Sequence, residues 1–177
     1  MRRVLTIISA IILILSSCKK IDKLTNFYMY NSNSIIISSS DFASLNADIW
    51  SYELENNITE LCSNNNTNEE SIKSISLDRF TVYISSPGTQ TFDFIQSLEV
   101  FVNASGLEEK KIAWVQNNLK TGVKKLVLDI NDDDIQDYIT DKNLILHSLI
   151  TGSDSIFSNV IIRYDYSYII TANLSGI

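Results

Sequence analysis

Residues 159–172 read NVIIRYDYSYIITA and show the clearest strand pattern in the chain. Alternate residues from Val160 to Ile170 are apolar or aromatic, whereas Arg163, Asp165 and Ser167 lie between them. Because successive side chains of a β-strand point to opposite faces, the alternation predicts one long strand with one buried face. The other face is polar across its middle, which is typical of a sheet with one side towards water.

A second long run, residues 72–86, reads IKSISLDRFTVYISS and changes phase once. Ile75 and Leu77 share one phase, and Phe80 and Val82 share the other. An extra residue in a strand restores the inward face after such a change. We therefore predict a β-bulge near Asp78 and Arg79.

Shorter alternating runs occur at residues 98–102, 111–116, 124–130 and 143–150, with turn residues such as Pro87-Gly88 and Gly106 between runs. This order lacks the rhythm of parallel βαβ units. We predict an all-β fold, an antiparallel β-sandwich of seven to eight strands, immunoglobulin-like or similar. One short helix is expected in residues 131–142, whereas residues 42–62 fit either a strand or a helix.

The first residues have the layout of a secretory signal. Arg2 and Arg3 precede a short apolar run from Val4 to Leu15, and small residues follow it. A membrane-spanning helix needs about 20 apolar residues, so this run is too short to span. An ordinary signal peptide cut elsewhere and an uncleaved membrane anchor are the alternatives.

Leu15, Ser16, Ser17 and Cys18 stand in the order Leu, small, small, Cys. This order resembles the lipobox of bacterial lipoproteins. The resemblance implies cleavage before Cys18 and acylation of that cysteine, which attaches the chain to a membrane. It divides the chain into a signal peptide (1–17), a lipidated tether (18–26) and a β-sandwich domain (27–177). Lys19 follows the cysteine where a sorting rule of some diderm bacteria uses Asp for inner-membrane retention, so the outer membrane is expected.

The composition is acidic. Loss of residues 1–17 removes Arg2 and Arg3 but no acid, which changes the net charge from −7 to −9. Nucleic-acid binding calls for a basic stripe, so no nucleic-acid partner is expected. If Cys18 is acylated, Cys62 is the remaining cysteine and has no partner for an intramolecular disulfide. We expect Cys62 at a strand end, packed as a small hydrophobic residue.

The sequence offers one candidate for a metal site, which would bind calcium and has weak support. Its residues are Asp129, Asn131, Asp132, Asp133 and Asp134. Calcium prefers several hard oxygen ligands, which closely spaced acids can supply. The EF-hand pattern fails, because its sixth position is Asp134 instead of Gly and its twelfth is Thr140 instead of Glu. Acids that cap the following helix explain the same residues without a metal.

Motifs for an enzyme or a cofactor are absent from the sequence. The chain has one histidine, His147, in an apolar run, and it lacks a G-x-S-x-G elbow, a P-loop, a dinucleotide fingerprint and zinc spacing. We expect no catalytic residues and no cofactor.

Aromatic residues are the remaining indication of a binding site. Trp50, Tyr52 and Tyr164 are candidate ligand-binding residues, because exposed aromatic rings beside polar groups hold sugars. The expected function is a non-catalytic lipoprotein module that binds an envelope protein. The alternatives are an accessory glycan-binding lipoprotein or, with less support, an envelope hydrolase.

Overall fold

A computed structural model of the chain shows the fold. The structure describes residues 24–40, 42, 45–52, 57–118, 121–141, 144–152 and 154–174. The predicted signal peptide and Cys18 lie outside these residues, so lipidation stays a prediction. Within the described ranges, no helix is both long enough and apolar enough to cross a membrane.

The described part of the chain forms nine strands and two short α-helices. The strands are β1 (Leu24–Ile37), β2 (Asn46–Tyr52), β3 (Ile72–Ser86), β4 (Ile95–Asn103), β5 (Lys110–Val115), β6 (Lys125–Val127), β7 (Asp129–Ile130), β8 (Ile145–Gly152) and β9 (Val160–Asn173). The helices are α1 (Ile58–Asn64) and α2 (Gln136–Ile139), and single 3-10 turns span Glu69–Ser71 and Phe92–Phe94.

The strands form two antiparallel sheets, which confirms the β-sandwich. One sheet has four strands in the order β1-β9-β3-β6, and the other has five in the order β2-β8-β4-β5-β7. Within them β1 pairs with β9, β2 with β8, β3 with β6 and β4 with β5. The pairs are nested, so the first strand pairs with the last and the innermost pair is formed by two consecutive strands. This order is that of a jelly roll and not the two-sheet order of an immunoglobulin domain.

Strand β9 lies at the centre of the four-stranded sheet, between β1 and β3. Its even-numbered residues from Val160 to Ala172 are buried, as the alternation predicts. The register between β3 and β9 shifts between Leu77 and Arg79, which confirms the predicted bulge. After the shift, Phe80 and Val82 are fully buried, so the extra residue does restore the inward face.

Residues before the predicted domain start also belong to the sandwich. Strand β1 begins at Leu24, so residues 24–26 are part of a strand and not of a tether. Their register partners in β9 run from Asn173 to Thr171.

The region that fits either a strand or a helix contains both. Strand β2 covers its centre, and α1 follows with Ile58 and Cys62 buried on one helix face. The prediction that Cys62 ends a strand is therefore wrong: the four-residue spacing from Ile58 places both side chains over the core from a helix. Burial also raises the pKa of the Cys62 thiol, with a smaller contribution from the nearby Glu69 charge.

Candidate binding surface

Three rings form a row across the outer face of the five-stranded sheet. Trp50 on β2 and Phe101 on β4 are both register partners of His147 on β8. The indole of Trp50 stacks on the imidazole with 3.9 Å between ring centroids and 4° between planes. Phe101 lies on the other neighbouring strand at 5.6 Å and 28°. The imidazole is therefore covered from both sides.

His147 points away from the core, since its neighbours Leu146 and Ser148 occupy the inward positions of β8. Its side chain is nevertheless only 7% exposed. Nδ1 lies 2.6 Å from Oε1 of Glu109, and Nε2 lies 2.8 Å from Oδ1 of Asp48. Neutral imidazole has one N–H, so both contacts are hydrogen bonds together only when both ring nitrogens carry a proton.

This arrangement joins three separate parts of the sheet. Asp48 belongs to β2, His147 to β8, and Glu109 to the segment that leads into β5. Charge-assisted hydrogen bonds of this kind are stronger than neutral ones. Trp50 thus lies against a ring that is itself fixed at both nitrogens.

Both ring nitrogens of His147 have a partner in this arrangement, because each contacts a carboxylate. The contacts with Trp50 and Phe101 cover the ring on both sides. Within the ranges that the structure describes, no group of three His, Cys, Asp or Glu side chains could hold a metal ion.

Apolar and charged side chains surround the row of rings. Trp50 is 43% exposed and Leu149 is 36% exposed. Trp114 on β5 is half-buried, and Lys111 lies over its ring at 5.5 Å while also binding Glu99 at 2.9 Å. We name this surface the aromatic face, and its residues are Asp48, Trp50, Glu99, Phe101, Glu109, Lys111, Trp114, His147 and Leu149.

Strict alternation over residues 111–116 predicts that Trp114 lies with Ile112 on the buried face, but the structure places Trp114 on the outer face. Ile112 and Ala113 are both buried, and the register between β4 and β5 shifts between Val100 and Phe101. The irregularity changes the phase of β5, so Trp114 pairs with Glu99 on the outer face.

The three predicted ligand-binding residues have different positions. Trp50 belongs to the aromatic face, and the side chain of Tyr52 lies outside the described residues. Tyr164 is fully buried, and its hydroxyl lies 3.1 Å from Oγ of Ser148 on the opposing sheet. The assignment of Tyr164 to a ligand surface is wrong, because its even-numbered position on β9 faces the core.

The acidic segment before α2 binds protein groups. Asp133 pairs with Lys110 at 3.1 Å and accepts a hydrogen bond from Asn131. The hydrogen bond from Lys110 is the main cause that lowers the pKa of Asp133. Asp134 accepts hydrogen bonds from the backbone N–H groups of Ile75 and Gln136, both at 3.0 Å.

The calcium candidate therefore gains no support from the structure. Asp129 and Asp132 are exposed, and Asn131 contacts Asp133 through both its side-chain oxygen and its side-chain nitrogen. Asp134 accepts from backbone N–H groups of both β3 and the first residue of α2, so this carboxylate connects the helix start to the strand.

Comparisons with known proteins identify no family for the chain. No family model matches the chain, and no curated protein matches it. Two solved structures are similar at low identity. One, from Desmodium yellow mottle tymovirus, is 11% identical with a TM-score of 0.31, and the match covers 86% of this chain and 93% of that one. The other, a decameric BFDV capsid protein, is 10% identical with a TM-score of 0.36 and covers 84% and 99%.

Proposed function

We propose that the chain is a lipid-anchored, non-catalytic binding module whose aromatic face docks a protein partner in the cell envelope. The observation that carries the proposal is the position of Trp50. It stands on an edge strand, is held by the stacked His147 and keeps 43% of its surface exposed. Tryptophan is the residue type most enriched at the energetic centres of protein interfaces.

The fixed geometry of the ring supports docking. A side chain that is already ordered in the free protein loses less conformational entropy on binding than a mobile one does. The contacts among Trp50, His147 and the two carboxylates provide that order before any partner arrives.

The charges around the rings indicate the chemistry of the partner. The aromatic face carries three acids, Asp48, Glu99 and Glu109, against one lysine, Lys111. Lys111 already pairs with Glu99. Protein interfaces combine an apolar centre with a polar rim of complementary charge. The matching partner has an apolar pocket for Trp50 and basic residues around it.

Attachment to the membrane depends on Cys18. Two or three acyl chains hold a protein firmly, whereas one chain binds marginally. We expect Cys18→Ser to abolish incorporation of a fatty-acid label and to move the protein from the membrane fraction to the soluble fraction. Cys62→Ser is the matched control and should leave both unchanged. Labelling of Cys18→Ser at the level of the unchanged protein would contradict the lipid anchor. An outer-membrane location predicts that the label sediments with outer-membrane markers.

Docking is tested by a photo-reactive amino acid placed in cells at one of two exposed positions. Leu149 lies on the aromatic face, and Ser34 lies on the outer face of the other sheet. We expect a discrete protein adduct when the photo-reactive residue is at position 149 and none when it is at position 34. The adduct from position 149 should be lost in the Trp50→Ala variant. An adduct that persists in Trp50→Ala, or one of equal yield from position 34, would overturn the proposal.

Glycan binding on the same face is a second candidate function, and the exposed indole of Trp50 beside polar side chains is the observation that favours it. Titration of neutral oligosaccharides, followed by tryptophan fluorescence, separates the two candidates. Saturable quenching that disappears in Trp50→Ala favours the glycan. An unchanged spectrum, together with a protein adduct, favours the protein partner.

A further inference from the structure

A cleft crosses the outer face of the four-stranded sheet, opposite to the aromatic face. It encloses about 500 Å³, within the range of about 300–1,000 Å³ typical of small-ligand sites. Strand register explains its shape. Tyr30 on β1, Ser167 on β9 and Arg79 on β3 form one row, and the short central side chain leaves a trough between the two long ones. We name it the polar cleft.

The floor of the polar cleft is made of short polar side chains that are already ordered. Asp165 accepts a hydrogen bond from Ser32 at 2.8 Å and one from Arg163 at 2.9 Å. Ser167, which is 1% exposed, donates to Asp78 at 2.7 Å. The nearby acids are thus occupied by protein donors, and Thr81 completes the floor beside Asp165.

The cations of the cleft are, by contrast, available to a ligand. Arg79 and Lys125 line the cleft, and neither forms an ion pair with a carboxylate among the residues that the structure describes. Lys125 lies over the ring of Tyr83 at 5.4 Å, and Arg163 lies over the same ring at 4.8 Å. Tyr83 therefore holds two positive charges beside the cleft.

This concentration of positive charge is unusual for the chain. The net charge is −7, and the sequence has two arginines after Arg3, both of which lie at this cleft or beside it. Arginine binds carboxylates through two parallel hydrogen bonds, a geometry that lysine lacks. Tyr30, 69% exposed at the other wall, offers a ring face against which a sugar can stack.

We propose that the polar cleft binds a carboxylate-bearing saccharide. Arg79 binds the carboxylate, and Lys125, which is in register with Tyr83 further along the cleft, adds positive charge. Tyr30 packs against the sugar ring, and Ser32 and Asp165 accept hydrogen bonds from its hydroxyl groups. This ligand matches the three features that the cleft provides: two cations without a carboxylate partner among the described residues, an aromatic wall, and a floor of hydroxyl and carboxylate oxygens. The cleft and the aromatic face lie on different sheets, so this site is independent of the proposed protein docking.

Calorimetric titration tests the proposal on the full chain in a zwitterionic detergent, which avoids sugar headgroups. The probe is a disaccharide that contains glucuronic acid, and the control is its neutral counterpart with glucose. We expect saturable heat from the acidic sugar and affinity for the neutral sugar at least about tenfold weaker. The affinity for the acidic sugar should fall as salt is added, because exposed charges are screened.

Variants locate the site. Arg79→Gln should weaken binding at least about tenfold. Lys73→Gln, which removes the same charge from the same strand outside the cleft, should leave it unchanged. Tyr30→Ala should weaken binding and Tyr30→Phe should preserve it. Trp50→Ala should bind the sugar normally, so failure of the protein-docking proposal does not affect this result.

Four results would overturn the proposal: no heat from either sugar, equal binding of both sugars, acidic-sugar binding that survives Arg79→Gln, and tighter binding of a tetraglutamate peptide than of the acidic sugar. The last result would assign the cleft to an acidic protein segment. Thermal melting of each variant verifies that the fold is intact.

Discussion

Each outer face of the sandwich holds an ionisable side chain between two partners, and the two differ in their exposure to water. His147 lies between Asp48 and Glu109 and is 7% exposed, whereas Asp165 lies between Ser32 and Arg163 and is 37% exposed. The rings of Trp50 and Phe101 exclude water from the first, whereas the second lines a cleft that is open to water. Similar hydrogen-bond patterns should therefore contribute differently to stability on the two faces.

The two faces also differ in what they offer a partner. On the aromatic face the charges are mostly negative and surround a fixed indole. In the polar cleft the acids are occupied and the cations Arg79 and Lys125 are available. One fold can therefore present an apolar docking surface and an anion-binding cleft, because the side chains that point away from the core are free to differ between sheets.

The largest change in stability is expected at alkaline pH, and it arises in the core between the two faces. Burial raises the pKa values of Tyr164, Tyr166 and Tyr168. A raised pKa means that the folded state disfavours the tyrosinate, so stability is complete below the ordinary tyrosine pKa of about 10 and decreases as pH rises above it. Absorbance of these tyrosinates should appear together with the loss of near-ultraviolet circular dichroism. Ionisation of every tyrosine while that signal persists would contradict the burial of these hydroxyls.

His147→Ala should lower the free energy of unfolding by about 2–4 kcal/mol, since it removes the ring that contacts two carboxylates and leaves a cavity between Trp50 and Phe101. Urea denaturation measures the change. Thr151→Ala is the matched control, exposed on the same strand and face, and should change stability by less than about 0.5 kcal/mol. Equal effects of the two substitutions would show that the imidazole is not a structural centre of the aromatic face.

Two core tyrosines provide a matched pair of predictions. Tyr164 and Tyr168 are both fully buried, but the hydroxyl of Tyr164 contacts Ser148 whereas that of Tyr168 has no partner among the described residues. Tyr164→Phe should lower the free energy of unfolding by about 1 kcal/mol, and Tyr168→Phe should leave it unchanged or raise it by about as much. Thermal and urea unfolding compare them. A larger loss in Tyr168→Phe than in Tyr164→Phe would be the contrary result.

Asp165→Asn should have the smallest effect, below about 1 kcal/mol, because exposed ion pairs contribute little to stability. Added salt should further reduce the difference in free energy of unfolding between this variant and the unchanged protein. A loss of stability as large as that of His147→Ala would show that the hydrogen bonds on the two faces contribute equally to stability.

Local patterns in the sequence predict much of the fold. Alternation gives the buried face of β9, and the phase change in residues 72–86 gives the bulge at Asp78 and Arg79. Both features depend on residues close together in the chain. The jelly-roll order depends on which distant strands pair, and alternation is the same in immunoglobulin and jelly-roll sandwiches. Alternation along single strands therefore does not determine the strand order.

The binding surface is less predictable for the same reason. Trp50 is a candidate from its residue type, but its contact with His147 requires the register of two strands almost a hundred residues apart. Glu109 reaches the imidazole from a loop, which periodicity does not describe. One signal was present: His147 stands on the face of β8 opposite to Leu144 and Leu146, which indicates an outward side chain.

Two variants show whether the two faces bind separate ligands. Trp50→Ala and Arg79→Gln are each measured for the protein adduct from position 149 and for the affinity of the glucuronic acid disaccharide. We predict that Trp50→Ala loses the adduct and keeps the sugar, and that Arg79→Gln keeps the adduct and binds the sugar at least about tenfold more weakly. Loss of both activities in either variant, with the fold intact, would contradict this prediction.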